Sequence, residues 1–170
     1  TYDSGPAIQA AVNSIDPLSA HPTSGAASEM GGTVWLPVDD DGAYGIGTAV
    51  RTTYGQAIEG LGGWARCVCI TTGLDYMFGV DSHNGVLGAR NCGIKRLMLD
   101  GADKAEIGLY VGRSVLNVFE DIRIQDCTDA GLVLDRGQNN VFINIDCDGN
   151  GDAASANGCG LRLENGCGTN

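Results

Sequence analysis

Apolar and polar residues alternate in short lines that recur along the C-terminal half of the chain. Asn117-Val118-Phe119-Glu120-Asp121-Ile122-Arg123-Ile124 and Asn140-Val141-Phe142-Ile143-Asn144-Ile145-Asp146-Cys147 repeat one pattern, and Leu97-Met98-Leu99-Asp100 is a looser, earlier copy. A second series, Gly108-Leu109-Tyr110-Val111, Gly131-Leu132-Val133-Leu134 and Gly160-Leu161-Arg162-Leu163, opens each time on glycine. Period-2 alternation marks strands, and recurrence after roughly a score of residues marks a solenoid with two short strands per repeat. If Leu97, Ile122 and Ile145 point inward, so do Leu99, Ile124 and Cys147, because side chains two apart share a face. The recurring glycine predicts a corner where the backbone turns sharply or takes positive φ.

Upstream, Ile8, Ala11, Val12 and Ile15 fall on one helical stripe, which predicts a helix over 4–16. Asp3 or Ser4 can cap it, Pro6 suits its first turn, and Asp16-Pro17 ends it. The buried place for its apolar face is the open end of the coil. Residues 19–32 read as a loop, Thr33 to Pro37 as the first strand, and Ile46 to Val50, Ala57 to Leu61, Cys67 to Thr71 and Met77 to Val80 as less regular rungs. Gly60-Leu61-Gly62-Gly63 lacks the Lys-Ser/Thr of a phosphate loop and reads as corner glycines.

The opening D-x-G-P-A-I-Q-A-A-V-N-S-I from Asp3, followed by G-G-T-V-x-L-P ending at Pro37, resembles the start of the pectate-lyase-like right-handed parallel β-helix superfamily. That superfamily includes phage tailspikes and polysaccharide lyases and hydrolases. The resemblance implies an all-β, right-handed parallel β-helix in one domain, with residues 1–20 as an N-terminal capping helix and 30–170 as its rungs. One such scaffold hosts many reactions, so chemistry has to be read from the residues.

Composition narrows the choice. A formal net charge of −11 argues against a nucleic-acid partner, and no apolar run approaches a membrane span. Seven cysteines without a C-x-x-C pair read as mostly reduced core thiols. His21 and His83, the two histidines, read as surface residues, and Val38-Asp39-Asp40-Asp41-Gly42 as a solvated hairpin tip. The chain shows no signal peptide and stops just after a strand, so further rungs or partner subunits are expected to cover that edge.

With Leu97, Ile122 and Ile145 inward, the outward columns are Arg96, Asp121 and Asn144; Met98, Arg123 and Asp146; and Asp100, Gln125 and Asp148. This face suits a saccharide groove, with Arg96, Asp100, Asn144 and Asp148 as substrate contacts. On a flat sheet Asp121 and Asp146 lie roughly 7–8 Å apart, within the range of inverting glycosidase carboxyls, and Arg123 beside Asp146 would keep one of them ionised. The same face could instead support β-elimination, with Ca²⁺ neutralising a uronate. Asp146, Asp148, Asn150 and Asp152 resemble the first half of a calcium loop, but Asn157 stands at the twelfth place, leaving a looser Ca²⁺ site or an Asn/Gly turn.

No cofactor is required by these readings. The resemblance favours a phage tailspike or tail-fibre coil, a homotrimer on the virion that binds bacterial surface polysaccharide, with or without depolymerising it. A secreted extracellular lyase or hydrolase and a non-catalytic binding coil are the alternatives. The acidic chain favours neutral glycans over uronate polymers.

Overall fold

A computed structural model describes residues 2–15, 31–38, 42–81, 89–151 and 158–168. Helix α1 (Gly5–Ser14) precedes fourteen strands: β1 (Thr33–Pro37), β2 (Tyr44–Ile46), β3 (Val50–Thr52), β4 (Ala57–Leu61), β5 (Ala65–Cys69), β6 (Leu74–Val80), β7 (Ala89–Arg90), β8 (Gly93–Asp100), β9 (Ala105–Gly112), β10 (Ser114–Val115), β11 (Val118–Gln125), β12 (Ala130–Asp135), β13 (Val141–Asp148) and β14 (Cys159–Glu164). Among the described residues all the strand pairings are parallel, and they stack the strands into a β-solenoid of about five rungs. One sheet runs β1–β4–β8–β11–β13, with β2 and β5 continuing its first two rungs. A second runs β3–β6–β9–β12–β14. Tyr54, Arg90, Val115 and Gln138 form a thin third line.

The two apolar registers meet between the sheets. Leu97, Leu99, Ile122 and Ile124 are fully buried facing Leu109, Val111, Leu132 and Leu134, and Phe119 stacks on Phe142 with centroids 4.8 Å apart. Ile145 and Cys147 share the same columns but are half-buried, because they belong to the last described rung.

The alternation does not run unbroken through the long strands. Phe119 and Ile122, three apart, both point inward, as do Ile94 and Leu97. Between them Arg96, Asp121 and Asn144 take φ of 52°, 53° and 55°, a left-handed residue that shifts the phase by one. A second left-handed column, Gly55, Asn91, Leu116 and Asn139, makes another corner. Each is followed by a buried residue, Gln56, Cys92, Asn117 and Asn140, three of which are amides. Here Asn117 Oδ1 accepts from Cys92 N–H at 2.8 Å, and Asn140 Oδ1 accepts from Asn117 Nδ2 at 2.9 Å. These buried amides satisfy backbone donors that the turn leaves unpaired.

Of the two alternatives expected at Gly108, Gly131 and Gly160, a sharp turn or positive φ, the second is corrected. None has positive φ, although strand pairing does skip Gly108 and Gly131. What excludes a side chain is packing across the core: a Cβ on Gly108 would lie 2.3 Å from Ile124 Cγ2. By contrast, Gly62 does turn at φ +88° between β4 and β5, as a corner glycine should.

Helix α1 lies on the first rung with Ile8 and Val12 buried. Ser4 makes no side-chain cap; Asp3 does, its Oδ1 accepting from Gly5 N–H and Gly47 N–H, each at 2.9 Å. Further along, Gln56 Nε2 donates to Val12 O at 3.0 Å. Asp16-Pro17, the loop over 19–30, the aspartate run at 39–41, and both histidines lie outside the described residues.

Candidate functional site

The outer face of the first sheet carries the predicted residues, and most are paired with one another along the stack. Arg123 faces Asp146 across one rung, with Nε 3.4 Å from Oδ2, as the alignment implies. Asp121 is engaged by Asn144, whose Nδ2 donates to Oδ1 at 2.9 Å. Arg96 pairs with the Glu59 carboxylate and donates from Nε to Gly60 O at 3.0 Å. Lys95 bridges to Glu120 at 3.0 Å. Asp100, expected to face solvent, is only 6% exposed, because Arg66 lies 2.9 Å from its Oδ2 and Ala102 N–H donates to its Oδ1.

The structure therefore joins Arg123 to Asp146 and Asp121 to Asn144. The flat-sheet spacing assumed for Asp121 and Asp146 does not carry over, since Asp121 is itself the left-handed residue where the strand bends.

The Asp146–Asp152 stretch is split in its uses. Asn150 belongs to a second amide ladder, with Oδ1 accepting from Cys127 N–H at 3.1 Å and Nδ2 donating to Ile124 O at 3.0 Å. Asp148 is exposed, and Asp152 lies outside the described residues. Among the described residues, no three His, Cys, Asp or Glu side chains are grouped to hold a metal ion.

The second sheet's outer face carries a group that the sequence reading missed. Strand register places Arg51, Gly79 and Tyr110 in one outward column. Gly79 leaves a gap there, and the Tyr76 ring fills it: a Cβ on Gly79 would lie 2.7 Å from Tyr76 Cε2. Tyr76 and Tyr110 thereby stack with centroids 5.7 Å apart and planes 26° apart. Arg51 places its guanidinium carbon 5.8 Å from the Tyr76 centroid and donates from Nε to the Tyr76 hydroxyl at 3.0 Å. Tyr110 in turn donates its hydroxyl proton to Asp135 Oδ2 at 3.1 Å. Arg136 Nη2 reaches the same oxygen at 2.7 Å, and Asn165 Nδ2 reaches Oδ1 at 2.8 Å.

The result is one unbroken chain of contacts, Arg51–Tyr76–Tyr110–Asp135–Asn165, with a member on each of the five rungs. At a strand spacing of about 4.8 Å it spans roughly 19 Å along the coil. The Arg136 guanidinium, ahead of the Asn165 and Tyr110 bonds, holds the Asp135 carboxyl below the usual carboxylate range despite burial. Burial, reinforced by the bond to Asp135, pushes the Tyr110 hydroxyl up to about 12. At neutral pH the face thus presents the neutral Tyr110 phenol and the Arg51 and Arg136 guanidinium groups, with the Asp135 carboxylate buried beneath them. The cap helix helps to set it, since Gln9 Oε1 accepts from Arg51 N–H at 2.6 Å and Gln9 Nε2 donates to Arg51 O at 3.0 Å. The sequence signal was a tyrosine two or three residues from an outward glycine, Tyr76 with Gly79 and Tyr110 with Gly112, which acquires meaning only once register is known.

No protein-family model matches the chain, and no curated protein matches it. A phage protein shares its fold. The chain superposes on ORF18 of Geobacillus virus E2 with a TM-score of 0.67 at 17% identity, over 98% of this chain and 45% of that one. The chain thus spans less than half the length of that protein. At this identity the likeness establishes the parallel coil and leaves the side chains of the two outer faces to be read on their own terms.

Proposed function

We propose that this chain forms part of a phage tailspike or tail-fibre coil that binds bacterial surface polysaccharide. The observation that carries the reading is the Arg51–Tyr76–Tyr110–Asp135–Asn165 chain on the second sheet. Aromatic rings offer flat apolar contact to the C–H face of a sugar, while flanking charged and amide groups hydrogen-bond its hydroxyls. The face is elongated along the coil, which suits a linear polymer better than a compact small molecule. Support for a virion origin is the fold likeness to a phage protein. Assembly as a homotrimer belongs to the same reading.

The test is retention on an array of bacterial capsular, O-chain and cell-wall polysaccharides, with Tyr110→Ala and Arg51→Ala beside the parent chain. Retention that each substitution weakens about fivefold, the scale of one lost aromatic or cation–π contact of roughly 1 kcal/mol, supports the reading. Retention indifferent to both moves the site elsewhere, and an array with no retention at all counts against polysaccharide binding.

A further inference from the structure

The chain has two tryptophans, and both are exposed on the first sheet's outer face, across the core from the tyrosine stack. Trp35 is 48% exposed, Trp64 42%, and Leu61 between them in sequence 51%. They sit on adjacent rungs, Trp35 within β1 and Trp64 just ahead of β5. Val38 N–H donates to Leu61 O at 3.3 Å, which continues the β1–β4 pairing to the end of β4. Trp64 stands one residue before the Ala65–Leu97 pair and so level with Arg96. Trp35 pairs in register with Glu59, and the same column continues through Lys95 and Glu120.

Burial of large aromatics is the rule where packing allows it, so two exposed indoles on adjacent rungs of one face call for a partner. The neighbours decide which kind. A protein partner would bring a dehydrated apolar core from which Lys and Glu are depleted. Here the aromatic edge runs directly into Glu59–Arg96 and Lys95–Glu120, four charged groups whose desolvation is costly without new hydrogen bonds. A pyranose meets both demands, with its C–H face on an indole and its hydroxyls toward Glu59 and Arg96.

We infer that Trp35, Trp64 and the Glu59–Arg96 pair form a second saccharide subsite, separate from the tyrosine stack, so that the coil grips polysaccharide on two faces. This inference rests on the glycan-binding reading above. The tyrosine stack contains no tryptophan, so indole emission reports on this patch alone.

The experiment titrates each polysaccharide retained on the array against intrinsic tryptophan emission and acrylamide quenching of the full chain. The expected result is a change in emission and at least a twofold fall in quenching. Both should persist in Tyr110→Ala, while Trp64→Ala and Arg96→Gln weaken retention severalfold, with an unchanged circular dichroism spectrum confirming the fold. A retained polymer that leaves emission and quenching unaltered overturns the second subsite while leaving the first intact. An emission change abolished by Tyr110→Ala also overturns it, because the two faces would then be one site. Absence of retention by every polymer defeats both readings together.

Discussion

Tyr110 donates its hydroxyl proton to Asp135 Oδ2 at 3.1 Å, and this bond ties the aromatic half of the second sheet's outer face to its charged half. Asp135 is 3% exposed, so the tyrosine is one of the few groups that can reach it. Tyr110→Phe keeps the ring against Tyr76 and deletes the bond. We expect a stability loss of about 1–2 kcal/mol by urea unfolding and a modest loss of glycan retention, smaller than that of Tyr110→Ala. Equal losses from Phe and Ala would mean that the ring itself contributes nothing to binding.

Acid should weaken the fold through two carboxylates in particular. Asp135 is held below the usual range chiefly by Arg136; Asp3 is also lowered, because the bonds from Gly47, Thr48 and Gly5 outweigh the largest single influence, burial. A depressed folded value means that the unfolded chain takes up the proton first. Their stabilisation is complete above the unfolded carboxylate range near pH 4 and falls away as pH drops below it. The urea midpoint measured from pH 6 to pH 2.5 should fall, and Asp135→Asn should flatten part of that fall. An unchanged slope in the variant would remove Asp135 from the account.

The amide ladder sets a sharper test of the core. Asn117→Ala strands the buried Cys92 N–H and leaves Asn140 Oδ1 only the backbone N–H of residue 117. Leaving such a donor unpaired costs about 1–3 kcal/mol, and the melting temperature should drop by several degrees. Asn139→Ala, one corner residue away with φ of 52°, loses no ladder bond and should cost less. If the two variants melt alike, the ladder is not what stabilises the turn.

Two glycines, Gly108 in the second sheet and Gly93 in the first, test packing across the core. Gly108→Ala would force a Cβ to 2.3 Å from Ile124 Cγ2, whereas Gly93→Ala meets its nearest atom at 3.4 Å. Overpacking of the first kind costs about 1–3 kcal/mol, and the second should be nearly silent in thermal unfolding. Comparable melting points would show that the sheets can part at Gly108.

The predicted dyad remains open to a direct assay. Asp121→Asn can still accept from Asn144 and tolerate the left-handed backbone, and Asp146→Asn leaves Arg123 a polar neighbour. Both variants should fold. With a retained polysaccharide as substrate, reducing-end release by the parent that disappears in both variants would assign cleavage to this pair. Release that survives in both would strike the pair out as catalytic.

Much of this architecture is legible in the chain itself. A solenoid repeats its contacts at a nearly constant interval, so inward Leu97, Ile122 and Leu132 declare themselves by alternation and recurrence, and Ile8 and Val12 declare the cap by helical spacing. The pairing of Arg123 with Asp146 follows from the same arithmetic. What the chain could not show by itself depends on register and on backbone handedness. The bend at Asp121 shifts inward and outward positions by one, and nothing in a single aspartate announces positive φ. The burial of Asp100 needed Arg66, 34 residues away in sequence, to arrive on the adjacent rung. The tyrosine stack is the clearest case. Tyr76 and Tyr110 are not register partners; they meet because Gly79 is empty where the column needs a side chain, a vacancy that exists only after the rungs are stacked. Local periodicity determined the coil, and tertiary register, which brings distant residues within one strand spacing of each other, decided where its chemistry gathers.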